Sequence, residues 1–326
     1  MSFNPDELVL PRPGGAVGSP KSPISGPSEE AFTKTFGALL PPAKFLNTAT
    51  GKAAYYELLP SSPSDDTNAP HRVLLIHGVQ TPALGMLPLA RELQTSFPSA
   101  HLVLVDLWGH GLSDTPIVPH EAGLFHQLLD DVLDHLEWPS AHLVGYSFGG
   151  SLTSGYVASR PSRVQSFTLV APAGLLRFAD FSAEEQDCLR GGDEAAARKW
   201  VVEWLEGGEL IVPADWEKRV EKGEIVAEAV REWQMREHSG HTASVVAIVR
   251  DGGVMDKHSE FTKAGGTSVP VLAILGELDS LCTEQQLNEH GISNVIVVPQ
   301  VGHSVVRDKA REVGEGVIKH WASLKK

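Results

Sequence analysis

Short, uninterrupted apolar runs recur along this chain with helix-patterned stretches between them, and that alternation restricts the fold more than any other feature. VLLIHG (73–78), HLVLVDLWG (101–109), AHLVGYS (141–147), VQSFTLVAPAG (164–174), VPVLAILG (269–276) and NVIVVP (294–299) each read as a strand buried on both faces. Helical spacing separates them over 86–97, 121–138, 148–159 and 307–324. In the second of these, Leu124, Leu128, Leu129, Val132 and Leu136 form one stripe. Strand and helix in this rhythm give right-handed crossovers and a parallel sheet covered on both sides. Upstream, AKFLNTA and AAYYELLP, separated by Thr50-Gly51-Lys52, read as a β-hairpin, followed by a polar loop at 61–70.

The rhythm breaks between 175 and 265, where the pattern turns helical and four of the seven tryptophans fall: Trp200, Trp204, Trp216 and Trp233. An insertion at this point is expected to be a helical cap, its aromatics either roofing a pocket or holding the cap to the body. Residues 1–42, rich in Pro, Gly and Ser, are expected to be an irregular N-terminal arm, although Phe32, Phe36, Leu39 and Leu40 could pack over the body. The expected organisation is therefore an arm at 1–42, a core at 43–174 and 266–326, and a cap at 175–265.

Composition bounds the partners. The chain has 326 residues, 42% hydrophobic and 21% charged, with a formal charge of -14. An acidic surface repels phosphate backbones and anionic lipid, so no nucleic acid is expected as a partner. No apolar stretch reaches the ~20 residues that span a bilayer, so no stable membrane insertion is expected. The N-terminal MSFNPDELVLPRPGG lacks a basic start and an apolar segment, and a cytoplasmic location is expected by default. Cys188 and Cys282 sit in no metal-ligand spacing; free thiols are the default reading, with a single bridge left open. Oligomeric state is left open.

Chemistry concentrates at Gly145-Tyr146-Ser147-Phe148-Gly149-Gly150, where a buried strand meets a helix. A serine on that turn projects its hydroxyl from the sheet edge, provided the flanking glycines let the backbone pass. The helix dipole beginning at Phe148 then favours negative charge beside it. A hydroxyl needs a base, and the base needs an orienting acid. His303, after the last strand, is placed at the same sheet edge, as no other of the fourteen histidines is. His101, His120, His126, His135, His142, His290 and His320 read as surface or flanking residues. Asp279, at the end of LAILGELD, is the expected acid, with Glu277 its rival. Asp106 is expected to brace the turn from Trp108 to Asp114. The backbone N–H groups of Phe148 and Val79 are the expected oxyanion hole. Gln80, Tyr146 and Trp204 are the candidate substrate-contacting residues.

LLIHG (74–78), DLWGHGLSD (106–114), GYSFGG (145–150), GELD (276–279) and VGH (301–303), in that order, resemble the α/β-hydrolase superfamily, in its lidded serine-hydrolase branch. The resemblance runs from about residue 43 to the end. It implies a mostly parallel eight-stranded sheet with helices on both faces and a helical cap after the sixth strand. The expected activity is hydrolysis of a carboxylic ester or lactone of a small to medium apolar substrate through an acyl-enzyme, with no cofactor and no metal. Carbon–carbon bond hydrolysis of a diketone-type compound, or ligand capture by a receptor on this scaffold, are the alternatives.

Overall fold

The apolar runs become strands because alternate residues of each enter different apolar layers. Residues 7–15, 21–62 and 70–324 are described in this computed structural model. Most of the polar loop at 61–70, and the first six residues of the segment read for a leader, lie outside them. The strands are β1 (Lys44–Asn47), β2 (Lys52–Leu58), β3 (Arg72–Ile76), β4 (His101–Val105), β5 (Ala141–Tyr146), β6 (Val164–Val170), β7 (Val271–Gly276) and β8 (Val295–Val298). They form one eight-stranded sheet in the order β1-β2-β4-β3-β5-β6-β7-β8. The β1–β2 hairpin pairs Asn47 with Lys52, and β2 is antiparallel to β4; every other pairing is parallel. In β3, Leu74 and Ile76 face one core layer while Val73 and Leu75 face the other. Val103 and Val105 of β4 divide from Leu102 and Leu104 in the same way. Each such side chain, fully withdrawn from water, stabilises the fold by about 1.5–3 kcal/mol.

The arm contributes α1 (Glu29–Phe36), and the core α2 (Leu87–Ser96), α3 (Ala122–His135) and α4 (Phe148–Ser159). The cap supplies α5 (Ala183–Arg190), α6 (Glu194–Glu206), α7 (Trp216–Glu221), α8 (Ala227–Glu237) and α9 (His241–Ala247). Then come α10 (His258–Gly265), α11 (Glu284–Glu289), α12 (Val305–Asp308) and α13 (Ala310–Ser323). α3 and α4 cover one face of the sheet, α2 and α13 the other. The closing helix expected as one piece is two, because Lys309 between them sits at φ -131. α10, which the pattern assigns to the cap, packs on α4 in the core layer. The cap therefore joins the core through a neck, laced by Gly174 N–H to Val254 O (2.9 Å) and Lys257 N–H to Gly174 O (2.8 Å).

The arm departs from its expected irregularity. Ser28 caps α1 by accepting from Ala31 N–H, and Gly37 ends it at φ 69. Phe32 and Phe36 are buried, their rings 5.5 and 5.9 Å from that of Trp233, with Phe36 also 5.9 Å from Trp216. Two of the four cap tryptophans thus seat the arm. Upstream, Ile24 bridges to Thr115 of the core, and Arg12 pairs with Asp251 of the cap neck at 2.7 Å. Short apolar content spread through a Pro/Gly-rich segment hid this docking from periodicity.

If the arm is part of the folded body, Phe36→Ala should lower the unfolding free energy by about 3–5 kcal/mol in urea titration. A loss below about 1 kcal/mol would show that α1 is not seated.

Candidate active site

Ser147 ends β5 and caps α4 with φ 54 and ψ -118, a conformation that costs a non-glycine residue about 1–3 kcal/mol. Its neighbours make the turn possible. A Cβ on Gly145 would lie 2.2 Å from Gly149 O, and one on Gly149 would lie 2.2 Å from Ile76 O. The turn is pinned by Ser147 N–H to Val170 O (3.0 Å) and by Ala173 N–H to Ser147 O (3.0 Å). The hydroxyl is thereby held over the carboxyl end of the sheet, at the positive end of α4.

His303 and Asp279 meet it there. His303 Nε2 lies 2.9 Å from Ser147 Oγ, and His303 Nδ1 lies 2.9 Å from Asp279 Oδ2. The Asp279 side chain is 2% exposed, and its other oxygen accepts from Leu281 N–H at 3.0 Å. Nδ1 is therefore the protonated ring nitrogen and Nε2 the free acceptor facing the hydroxyl. Glu277 is exposed and accepts from Gln300 N–H instead, away from the imidazole. Asp106 braces its turn, accepting from Ala83 N–H, Leu112 N–H and the Tyr56 hydroxyl at 2.8–3.0 Å.

Of the expected oxyanion donors, Phe148 directly follows the serine, and the backbone leading to Val79 passes over it. Phe148 N–H is the first free donor of α4. A Cβ on Gly78 would lie 2.8 Å from Ser147 Cβ, so the backbone just before Val79 passes directly over the serine. His77 Nδ1–H donates to Gly78 O at 2.6 Å, while His77 Nε2 accepts from Leu107 N–H at 2.9 Å. With that carbonyl held, the trans peptide turns Val79 N–H the opposite way.

The three candidate substrate contacts fare differently. Tyr146 is 5% exposed; its ring lies 5.3 Å from the His303 ring and its hydroxyl donates to His303 O at 3.1 Å. It braces the histidine rather than lining open space. Gln80 is buried, at φ 66, with its N–H donating to His110 Nε2 at 3.1 Å. Trp204 stacks on Trp200 at 5.8 Å and contacts Phe181, and none of its ring contacts involves the serine, histidine or aspartate. The pattern also missed a buried ion pair in the cap, Glu206 with Arg231 at 2.9 Å, where burial raises the Glu206 carboxyl above its usual range.

The histidines are the largest correction. His120, His126 and His320 are buried, not on the surface. A further chain of buried imidazoles, His77–His110–His241–His238, links the loop over Ser147 to the cap, with ring centroids 4.9–6.1 Å apart. A histidine between strand and loop carries no periodic signature of burial; only the glycines of WGHG signalled a tight turn. A Cβ on Gly111 would lie 2.1 Å from Asp106 Oδ2.

A family model described as alpha/beta hydrolase fold matches residues 71–192. A Bacillus subtilis (strain 168) protein carrying the provisional name 2-succinyl-6-hydroxy-2,4-cyclohexadiene-1-carboxylate synthase is 24% identical over 276 residues, 79% of this chain and 92% of the relative. A monoacylglycerol lipase of Mus musculus is 25% identical, over 77% of this chain and 76% of its own. The solved enol-lactonase from Burkholderia xenovorans LB400 superposes with a TM-score of 0.63 at 17% identity, over 86% of this chain and all of that one. This is an α/β-hydrolase fold. Residues 71–192 match that family's model, and the family model and relatives together support a hydrolase. Among the described residues no helix is long and apolar enough to cross a membrane.

The buried imidazoles set a pH dependence. Burial pushes His77, His120, His126 and His142 down to about 4 and His241 to about 3. In the unfolded chain they take up protons near pH 6.5, so between these values the unfolded state binds more protons and stability falls as pH drops. Asp106 acts oppositely: burial raises its carboxyl to about 6, so it is protonated in the fold first and regains some stability below that pH. The histidines outnumber it, and the melting temperature should fall steadily from pH 6.5 towards 4. A flat or rising melting temperature over that range would contradict the neutral buried imidazoles.

Proposed function

We propose that this protein is a serine hydrolase that cleaves a carboxylic ester or lactone of a small to medium apolar substrate, and the observation that carries the reading is the Ser147–His303–Asp279 hydrogen-bonded chain. His303 Nε2 takes the Ser147 proton as Oγ attacks the substrate carbonyl carbon. The carbonyl π electrons move to oxygen, which Phe148 N–H and Val79 N–H receive. Each such donor lowers the barrier by about 3–4 kcal/mol in comparable sites. Collapse of the tetrahedral species breaks the acyl–oxygen bond, and the imidazolium returns its proton to the leaving alkoxide. Water then repeats the sequence on the acyl-enzyme and frees Ser147. Asp279 stays ionised throughout, fixing the tautomer and stabilising the imidazolium. Tyr146 supports His303 from behind.

The described residues hold no group of His, Cys, Asp and Glu fit to bind a metal ion. The monoacylglycerol lipase and enol-lactonase likenesses agree with ester or lactone chemistry.

Short p-nitrophenyl esters test the reading. Ser147→Ala should lower kcat/KM by about 10⁴ or more, and Asp279→Asn by a comparable factor, with folding retained. A loss of less than about a hundredfold in Ser147→Ala would remove Ser147 as nucleophile.

A further inference from the structure

The loop that carries Val79 is fixed from the cap. Gln80, the next residue, holds a left-handed conformation at φ 66, and both peptides around it are tied down. The Val79–Gln80 peptide gives its N–H to His110 Nε2 at 3.1 Å and receives Thr81 N–H on Val79 O at 2.9 Å. The carbonyl of Gln80 accepts from Nε2 of Gln234. Gln234 belongs to α8 of the cap, more than 150 residues along the chain, and is completely buried. Its other end accepts from Gly111 N–H at 2.7 Å. One amide therefore spans the loop after β3 and the loop after β4, using donor and acceptor at once. His110, one residue from that second contact, is held by donating Nδ1–H to Trp108 O at 3.1 Å, which leaves Nε2 as the acceptor that Gln80 needs.

We propose that Gln234 is a positioning residue for the oxyanion hole: the cap, through this side chain and with His110, holds the Gln80 backbone in the conformation that aims Val79 N–H at the developing charge, while the Gln80 side chain is tied separately to Glu206 of α6. The inference rests on the serine-hydrolase reading above and assigns α8 a part in it. Without Gln234, a left-handed Gln80 has one fewer constraint, and its carbonyl is a buried acceptor without a partner. The loop relaxes towards an ordinary backbone conformation and the Val79 donor swings off its target. The loss falls on the transition state.

The test compares wild type, Gln234→Leu and Gln234→Glu on p-nitrophenyl butyrate, with active sites counted by fluorophosphonate titration. Gln234→Glu has the same size and keeps an acceptor for Gly111 while losing the donor to Gln80, so it serves if the leucine variant does not fold. In both variants kcat per titrated site should fall by about ten- to a hundredfold, short of the 10²–10³ seen when a donor is removed outright. KM should stay within about threefold. Affinity for an alkyl boronic acid, which forms a tetrahedral anion on the serine, should fall by the same factor as kcat. A purely structural role predicts a lower melting temperature with kcat per site and boronate affinity within about twofold of wild type, and that result would overturn the proposal. Should wild type neither turn over the ester nor take the label at Ser147, the serine-hydrolase reading itself fails, a different result from an intact nucleophile indifferent to Gln234.

Discussion

A single backbone conformation, φ 54 and ψ -118 at Ser147, governs everything the site can do. It turns the chain from β5 into α4 within one residue and leaves the hydroxyl standing clear of the sheet. The strain is held by packing: Gly145 and Gly149 approach backbone carbonyls so closely that no side chain fits, and hydrogen bonds to Val170 and from Ala173 lock the turn on the neighbouring strand's end. The parallel sheet places β3, β5 and β7 so that their carboxyl ends face one rim. The loops that follow β3, β7 and β8 then bring Gly78, Asp279 and His303 to the serine.

Around that rim the protein uses neutral imidazole as a structural element. His77 and His110 each donate from Nδ1 and accept at Nε2, an arrangement only uncharged histidine can provide. Burial enforces it by keeping these rings deprotonated well below neutral pH. His303 differs in having a carboxylate partner and partial exposure, the conditions under which an imidazole can take and return a proton. Placement, more than residue type, separates the rings that hold backbone from the one that faces the serine.

Much of this was legible in the residues. Continuous apolar runs announced strands buried on both faces, and the strand-to-helix context of GYSFGG singled out Ser147 among the serines. Loops after β7 and β8 suggested Asp279 and His303, which the structure brings within hydrogen-bonding distance of one another and of the hydroxyl. What stayed hidden depends on contacts between distant segments. Phe32 and Phe36 are two aromatics in a Pro/Gly-rich arm, and nothing local says that Trp216 and Trp233 await them. Gln234 sits in an unremarkable helical stretch, and its burial against Gln80 and Gly111 comes from how the cap settles. Tyr146 packs behind the histidine and Trp204 into an aromatic stack, contacts that no local pattern announces.

Cap and arm are both anchored on the core. The neck at Gly174 and Lys257 fixes where the cap rises from the sheet, and Arg12, Ile24 and α1 tie the arm to both cap and core. The central claim is that Ser147, activated by His303, attacks carbonyl carbon with its oxyanion received by two backbone donors. A crystal structure of the protein after reaction with a fluorophosphonate tests this most directly. The account predicts phosphorus bonded to Ser147 Oγ, with the phosphoryl oxygen about 2.7–3.1 Å from both Phe148 N and Val79 N. A phosphoryl oxygen turned away from those two groups, or a label carried by another residue, would contradict it.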